Sequence, residues 1–492
     1  MSGTSFDSAL RRLADEDPHG PAVTCGDVTL SRSELVARYQ RLAALLAQRG
    51  VKAGSTVTIG LPNSIAFVES MLATWTLGAV PQPISHRLPP AERAAIVELA
   101  DPALVIGVPE AESGGRPTLD SVPDDLGPWA DAEYTTAISP ILKTMTSGGS
   151  TGRPKLISAT QPAIVETQAG FGRLLRFPTG GCVLVTGPMS HNAPFVVATV
   201  GLLFGNHVVV MPRFDAAEAL RLVQTHRVNW FYLVPTMMQR IWKLDPEVRR
   251  DTDMSSVSVA FHMAAPCPPW LKEAWIEWLG PEAILELYGG TELQAMTVIT
   301  GTEWLQHRGS VGRTVLGEID VRDPEGKSLP PTEVGELWMR RGPDAPPPYR
   351  YIGATAKSAA DGWESLGDIG YADADGYVYI TDRLADMMLV GGANVYPAEI
   401  EAALDEHPAV RSCCVIGVPH EDLGSVPHAI VELAEPVSDE DLISYLAERI
   451  APYKVPRTFE RTTSPVRDDA GKVRRSALRA EHLARLASGP ES

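Results

Sequence analysis

Cysteine is scarce in this chain, and basic residues are outnumbered by acidic ones. The five cysteines among 492 residues are scattered and show no CxxC spacing. An odd, dispersed set argues against a disulfide framework or a cysteine-ligated metal and suits a reducing cytosol. Lys and Arg number 43 against 61 Asp and Glu, which gives a net charge of −18. This charge argues against nucleic acid or an anionic membrane as the main partner, so an anionic ligand needs local cations and backbone N–H groups.

Long apolar runs are missing as well. No stretch approaches the roughly 18 uninterrupted apolar residues of a membrane-spanning helix, and the amino terminus lacks the charged and apolar regions of a secretory leader. We therefore expect a soluble, cytoplasmic protein. A hydrophobic fraction of 44% allows large cores, and the length predicts two or more domains.

Segments typical of strands and helices alternate from about residue 34 to residue 290. The spacing of Leu35, Tyr39 and Leu42 predicts a helix over 34–49, for example, and a buried strand follows at 57–60. This alternation predicts α/β layers around a largely parallel sheet. From about residue 309, short β segments separated by turns predict a β-rich subdomain. We place the large amino-terminal domain at 1–382 and a small α+β carboxy-terminal domain at 383–492. That domain ends in a basic tail, where Arg474, Arg475 and Arg479 suggest a solvated charge run.

The stretch 144–155 reads TMTSGGSTGRPK and concentrates glycine, hydroxyl and basic residues. Glycines let backbone N–H groups approach an anion, and hydroxyls add donors, so the simplest interpretation is a loop that binds phosphate. A mobile polar loop is the plain alternative. The stretch also contains GxSxG, with Ser150 in the position of a hydrolase nucleophile. That motif requires a helix directly after the serine, and Pro154 disfavours a helix there.

Further motifs follow this loop in a fixed order. They are Ala264-Ala265-Pro266, Tyr288-Gly289-Gly290-Thr291-Glu292, Gly367-Asp368, Arg383 ahead of Gly391-Gly392, and Gly471-Lys472. Together with the loop they resemble the motifs of the adenylate-forming superfamily, which includes acyl-CoA synthetases, luciferases and peptide-synthetase adenylation domains. The resemblance covers nearly the whole chain and is far more specific than any single motif.

The resemblance implies an acid–thiol ligase that uses ATP, Mg²⁺ and CoA and forms AMP. It implies catalytic roles for Lys472, Thr291, Glu292 and His191, with Glu292 as the metal ligand and Lys472 beside the carboxylate and α-phosphate. Asp368 is expected to accept from the ribose hydroxyls. The implied nucleotide-binding residues are Thr146, Ser147, Gly148, Gly149, Ser150, Thr151, Gly152, Lys155, Ala264, Ala265, Pro266, Tyr288, Gly289, Asp368 and Arg383.

The resemblance also implies a mobile carboxy-terminal domain that rotates between two half-reactions. Asp382 and Ala385 mark the expected hinge, and Gly391 and Gly392 are expected to form the CoA tunnel. The expected partners are small molecules, namely a carboxylic acid, ATP and CoA, and a homodimer is left open. No role is assigned to the histidines at 407, 420 and 428.

We expect an acyl pocket lined by His191, Phe195, Phe231, Val234 and Gly290. Gly290 occupies the variable position of its motif, and a small residue on a pocket floor leaves volume. A bulky acid, polycyclic or arylalkyl, is therefore predicted in preference to acetate, with aliphatic and aryl acids as alternatives.

Two positions depart from the family pattern. The phosphate loop carries one extra glycine, and Ala385 stands where the family usually has Asp or Lys. Extra glycine raises the entropic cost of ordering a loop. These departures are compatible with an adenylation-impaired enzyme that mainly thioesterifies a preformed acyl-adenylate. The motifs also leave open an adenylation enzyme that loads a carrier protein, an inactive nucleotide-binding relative, and a serine hydrolase using Ser150.

Overall fold

The computed structural model describes residues 3–148, 154–468 and 471–488. In the amino-terminal part the helices are α1 (Phe6–Glu16), α2 (Arg32–Gln48), α3 (Ile65–Thr76), α4 (Pro90–Ala100), α5 (Val165–Leu174), α6 (Asn192–Leu203), α7 (Ala216–His226), α8 (Pro235–Trp242), α9 (Pro246–Asp251), α10 (Pro269–Leu279) and α11 (Gly301–Gln306). The helix predicted at 34–49 is α2, which begins with a capping box between Ser31 and Glu34 and buries the predicted apolar face. No helix in these ranges is long and apolar enough to cross a membrane.

The strands of the amino-terminal part form three sheets. They are β1 (Pro21–Cys25), β2 (Val28–Ser31), β3 (Thr56–Ile59), β4 (Val80–Pro83), β5 (Leu104–Ile106), β6 (Thr118–Leu119), β7 (Thr144–Gly148), β8 (Pro154–Ala159), β9 (Cys182–Val185), β10 (His207–Val210), β11 (Trp230–Leu233), β12 (Val259–His262), β13 (Ile284–Gly289), β14 (Met296–Thr300), β15 (Ser310–Leu316), β16 (Glu318–Arg322), β17 (Gly335–Arg340), β18 (Tyr349–Ile352), β19 (Lys357–Ser358), β20 (Glu364–Ala372) and β21 (Tyr377–Arg383).

The predicted α/β class with a β-rich subdomain is confirmed, although the two parts share one sheet. Strands β1, β10, β9, β11, β12 and β13 pair in parallel, and the sheet then continues through antiparallel strands from β14 to β16. The prediction of a largely parallel sheet therefore holds for one half of this sheet. A separate parallel sheet has the order β4-β3-β5-β6, and β18-β8-β7 form an antiparallel one.

The carboxy-terminal part is the predicted α+β unit. It comprises β22 (Met388–Val390), β23 (Ala393–Val395), α12 (Pro397–Asp405), β24 (Val410–His420), β25 (Gly424–Leu433), α13 (Asp439–Ala447), β26 (Thr458–Thr462) and α14 (Arg475–Ser488). Strands β24 and β25 form a long hairpin, and β26 runs parallel to β25. One sheet face packs on α12 and α13, and the other lies under α14, a helix that the sequence interpretation treated as a basic tail.

Candidate active site

The predicted motifs converge where three neighbouring parallel strands end. Strands β11, β12 and β13 are in register, so their carboxyl ends share one edge of the sheet. Val234 follows β11, Ala264–Pro266 follow β12, and Thr291 and Glu292 follow β13. This edge is where open α/β sheets bind ligands. Ala264 has a φ of 79°, which is unusual for a residue with a side chain and turns the chain sharply after β12.

The described ends of the glycine and hydroxyl stretch lie on two paired antiparallel strands, β7 and β8. Ser147 is opposite Lys155, and Gly148 is opposite Pro154, at the ends of β7 and β8. Gly149, Ser150, Thr151 and Gly152 lie outside the described residues. A nucleophile elbow joins a strand to a helix, so a hairpin contradicts the serine hydrolase alternative.

A buried glutamine that the sequence interpretation missed holds the hydroxyl of Thr146, near the start of this stretch. Gln82 Nε2 donates to Thr146 Oγ1 at 2.9 Å, and Gln82 Oε1 accepts from Thr58 at 2.7 Å. Gln82 is fully buried, so this pair of bonds fixes the start of the loop against the neighbouring sheet. The only sign of this role in the sequence was the presence of a polar residue, Gln82, in the short apolar strand Val80–Pro83.

Glu292 is held in place by two side chains from other elements. Tyr351 Oη donates to Glu292 Oε1 at 2.6 Å, and Lys155 Nζ lies 3.7 Å from the same oxygen. The Lys155 ammonium also lies 4.0 Å from the centre of the Tyr351 ring. Burial, with a further contribution from Glu292, raises the pKa of Tyr351, so its hydroxyl remains a donor at neutral pH. Tyr351 is a second site residue that the sequence interpretation did not identify.

Asp368 is the centre of a second group. Its Oδ2 accepts from Tyr288 Oη at 2.6 Å, and its Oδ1 lies 3.3 Å from Arg383 Nε. Burial, reinforced by the charge of Asp368, raises the pKa of Tyr288. Each carboxylate oxygen can accept more than one hydrogen bond, so Asp368 retains the capacity to accept from ribose hydroxyls.

Lys472 is brought to this site by a glycine that contacts the amino-terminal domain. A Cβ atom on Gly471 would lie 2.5 Å from Thr236 Oγ1 and 3.3 Å from Val234 Cγ2. Gly471 also has a φ of 74°, which favours glycine. The backbone therefore approaches the start of α8 more closely than any other residue type allows, and Lys472 follows at once.

The domains are also joined away from this contact. Gln239 Nε2 donates to the carbonyl of Asp405 at 3.2 Å, and Arg474 lies 3.1 Å from Glu92. Lys243 donates to the carbonyl of Val410. These contacts hold the small domain in the orientation that presents Lys472 to the strand ends.

The cations of the site interact with one another and with Glu292. Desolvation lowers the pKa of Lys472, Arg383 lowers it further, and Asp468 and Glu292 oppose the shift. Desolvation also lowers the pKa of Lys155, against the effect of Glu292. Lys155, Arg383 and Lys472 thus form a local positive cluster in an acidic protein, which is what a triphosphate requires.

The residues predicted to line the acyl pocket differ in where the fold places them. His191 immediately precedes α6, and Val234 lies beside Gly471. The rings of Phe195 and Phe231 are fully buried in the core, where Phe195 packs edge-on against Trp75 and Phe231 lies at a tilt to Trp275. These two side chains therefore belong to the core packing that supports the site.

Gly290 does not leave the volume that its size suggested. A Cβ atom there would lie 2.5 Å from Leu366 Cδ1 and 2.7 Å from Glu292 Oε2. The space beside this glycine is thus already filled, and the absence of a side chain allows Leu366 and Glu292 to pack closely. The argument from Gly290 to a bulky substrate is wrong on this geometry.

Residues at and beside the expected hinge make polar contacts with the small domain. Asp382 Oδ2 accepts from the backbone N–H of Ala398 in the first turn of α12, at 2.9 Å. Ala385 is exposed in the turn that follows β21, and the next residue, Asp386, pairs with Arg475 at 2.5 Å. Gly391 and Gly392 form the exposed turn between β22 and β23, with positive φ angles of 57° and 86°. Their hinge and CoA roles stay predictions.

Comparison with known proteins decides the family. The profile described as AMP-binding enzyme matches residues 10–345, and the profile of the AMP-binding enzyme C-terminal domain matches 399–472. The chain belongs to the AMP-binding enzyme family. A feruloyl-CoA synthase from an Amycolatopsis species is 32% identical, covering 95% of this chain and 97% of the relative. A 7a-methyl-1,5-dioxo-octahydroindenyl-propanoyl:CoA ligase from Rhodococcus jostii is also 32% identical, over 97% and 99% of the two chains.

A solved structure agrees in fold and in sequence. The o-succinylbenzoate CoA synthetase of Bacillus subtilis, in complex with its acyl-adenylate intermediate, has a TM-score of 0.79 and 25% identity. The match covers 97% of this chain and 98% of the synthetase. The same synthetase is also known in complex with ATP and a magnesium ion, at a TM-score of 0.79 and 25% identity. This AMP-binding enzyme is therefore an ATP-dependent, AMP-forming acid–thiol ligase that uses ATP, Mg²⁺ and CoA.

The site fits the metal that this chemistry requires. Glu292 is 6% exposed and presents a carboxylate, the hard oxygen ligand that Mg²⁺ prefers, next to the hydroxyl-bearing residue Thr291 and the end of the hairpin. When bound, Mg²⁺ would neutralise phosphate charge. Tyr351 and Lys155 then have the task of orienting the Glu292 carboxylate toward the phosphates.

Proposed function

We propose that this acyl-CoA synthetase activates a bulky, ring-bearing carboxylic acid and that Lys472 serves the adenylation step. The observation that carries the proposal is the contact of Gly471 with Val234 and Thr236, which sets Lys472 in electrostatic range of Glu292 and Arg383. A carboxylate oxygen attacks the α-phosphorus of ATP, and pyrophosphate leaves. The thiol of CoA then attacks the acyl carbonyl, and AMP leaves.

Lys472 suits the first of these steps. An ammonium beside the reacting oxygens stabilises the negative charge that accumulates on the pentacoordinate phosphorus. Asp368 and Tyr288 would hold the ribose, and Gln82 would keep Thr146 ready for the phosphates. The orientation of the small domain supports an adenylation-competent enzyme over one that only thioesterifies a preformed adenylate.

The substrate class rests on relatives, since Gly290 no longer supports it. Two CoA ligases at 32% identity are named for acyl groups that carry a ring system on a short chain. Their likeness to this chain covers almost its full length, so the acyl pocket is included. We therefore place the substrate among arylalkyl or polycyclic acids joined to the carboxylate by a short chain.

A panel of acids tests this proposal. Each ring-bearing acid is paired with a straight-chain acid of equal carbon number, and ATP, Mg²⁺ and CoA are supplied. Mass spectrometry then measures acyl-AMP and acyl-CoA separately. Ring-bearing acids should give the higher kcat/KM, and preference for acetate or for the straight-chain partners would refute the substrate class.

Two variants test the role of Lys472. Lys472→Gln should lose acyl-AMP formation, while Arg479→Gln, which removes another cation of the same domain, should retain it. Equal adenylation by the two variants would contradict the catalytic assignment.

A further inference from the structure

The carboxy-terminal domain contains a cluster of two histidines and a carboxylate that the ligase reaction does not use. His428 lies on β25, Glu460 on β26 and His482 on α14, so three elements contribute one side chain each. One nitrogen or oxygen atom from each residue lies within 4.8 Å of the others. In the described part of the chain this is the one group of its kind found.

The sheet geometry explains why these side chains meet. His428 is on the same face of β25 as Val426 and Ile430, and that face is covered by α14 through Leu478. His482 stands one helical turn after Leu478 and therefore points toward the same face. Glu460 is opposite Ile430 in the parallel pair of β25 and β26.

The two distances from Glu460 to the histidines lie close to those between ligands of a tetrahedral metal. Glu460 Oε2 lies 3.7 Å from His428 Nε2 and 3.1 Å from His482 Nδ1. Zinc binds such ligands at about 2.0–2.2 Å, so two tetrahedral ligands stand about 3.3–3.5 Å apart. The two pairs that include Glu460 therefore need shifts of only a few tenths of an ångström to accept an ion, and the two histidine nitrogens lie within 4.8 Å of each other.

A second, independent observation points to a ligand. His428 is 3% exposed, and its Nε2 atom has no hydrogen-bond partner even though it is buried. An unsatisfied buried nitrogen is costly and calls for an explanation. The other ring nitrogen, Nδ1, lies 2.6 Å from Thr458 Oγ1. If the hydroxyl accepts from Nδ1, Nε2 keeps its lone pair and faces Glu460, which is the supporting arrangement typical of metal-bound histidines.

We propose that His428, Glu460 and His482 form a structural Zn²⁺ site that fastens α14 to the sheet of the carboxy-terminal domain. Two imidazoles and a carboxylate are a donor set that zinc favours over Mg²⁺, whose ligands are oxygens. The fourth position would hold water. Arg485 also contacts both oxygens of Glu460, at 2.7 Å from Oε1 and 2.9 Å from Oε2, so the ion would share the carboxylate with that guanidinium.

Metal titration of the full-length protein tests the site. Protein stripped with a chelator is titrated with Co²⁺, whose visible absorption reports tetrahedral coordination, and with Zn²⁺ in competition with a chromophoric chelator. The wild type should bind one equivalent, and Zn²⁺ should raise the thermal unfolding midpoint. Loss of a residue that only supports a metal ligand typically lowers metal affinity 10–100-fold. His482→Gln removes a ligand itself, so it should lower the affinity by at least that factor.

Two further variants complete the test. His428→Gln should weaken binding in the same way, and His482→Gln, closer to the surface, keeps the test valid if the buried substitution fails to fold. The control is His420→Gln, which removes a histidine of the same domain that pairs with Arg457 outside the cluster and should bind as the wild type does. No Co²⁺ spectrum at micromolar metal, or equal affinity in His482→Gln and His420→Gln, would overturn the proposal.

Discussion

The close approach of Gly471 to α8 leads to a prediction that separates the two half-reactions. In Gly471→Ala, the added methyl group would lie 2.5 Å from Thr236 Oγ1, a distance that forces one of the two chain segments to move. Overpacking of this kind costs about 1–3 kcal/mol. Since about 1.4 kcal/mol is a factor of ten in rate, adenylation should fall roughly fivefold to 150-fold.

The strain of a positive φ must be distinguished from this contact. Gly471 combines a φ of 74° with a close approach to Thr236, so its substitution by Ala introduces both effects at once. Gly376→Ala provides the matched control, because Gly376 has a φ of 81° in a turn with nothing within 4 Å of its Cβ position. This control should lose some stability but keep its rate of adenylation.

The assay measures the half-reactions one at a time. ATP–pyrophosphate exchange with the preferred acid should drop in Gly471→Ala, while CoA thioester formation from a supplied acyl-adenylate should change little. The double variant with Thr236→Ala should recover exchange, because it removes the 2.5 Å contact. Exchange at the wild-type rate in Gly471→Ala, or no recovery in the double variant, would refute this account of how Lys472 is delivered.

Three further substitutions have defined outcomes. Tyr351→Phe removes the 2.6 Å bond to Glu292 and should raise the Mg²⁺ concentration needed for half-maximal exchange roughly tenfold, and an unchanged Mg²⁺ dependence would contradict the orienting role. Asp368→Asn should raise the KM for ATP more than it lowers kcat, which steady-state kinetics would check against an unchanged KM for CoA. Lys143→Met should raise the unfolding midpoint at pH 7. Burial lowers the pKa of Lys143 in the folded protein to about 7, so the unfolded chain binds the proton more tightly and protonation favours unfolding. That gain should be greatest below pH 7 and fade as the pH rises toward about 10.5, where both states hold a neutral lysine, and a pH-independent gain would contradict it.

Local sequence was sufficient for the family and for identifying several residues that the fold brings close together. Glu292, Asp368, Arg383 and Lys472 belong to short motifs in a fixed order, and the structure brings them to one edge of the sheet. The glycine and proline residues of these motifs make them recognisable in the sequence. They mark places where the backbone turns sharply or must approach a ligand closely, which few other residues permit.

Contacts between distant segments could not be predicted in the same way. Tyr351 reaches Glu292 from a strand 59 residues later, and Gln82 reaches Thr146 from 64 residues earlier. Neither residue stands in a motif, and only the pairing of β18 with β8 and the packing of β4 make them neighbours. The misjudged volume at Gly290 has the same origin, since Leu366 fills that space from a different strand.

The helical nature of the tail was missed for a different reason. Arg474, Arg475 and Arg479 suggested a solvated charge run. In the fold, Arg475 lies between Asp386 and Glu401, and α14 buries Leu478 against the sheet. Arg474 pairs with the remote Glu92, Arg479 donates to the carbonyl of Gly417, and the same helix places His482 beside His428.

Oxygen transfer from the acid to AMP tests the central claim most directly. An acid labelled with ¹⁸O in its carboxylate is turned over with ATP, Mg²⁺ and CoA, and the nucleotide product is weighed by mass spectrometry. Attack of the carboxylate on the α-phosphorus predicts that each AMP carries one ¹⁸O atom. Unlabelled AMP, or ADP in its place, would contradict the acyl-adenylate route.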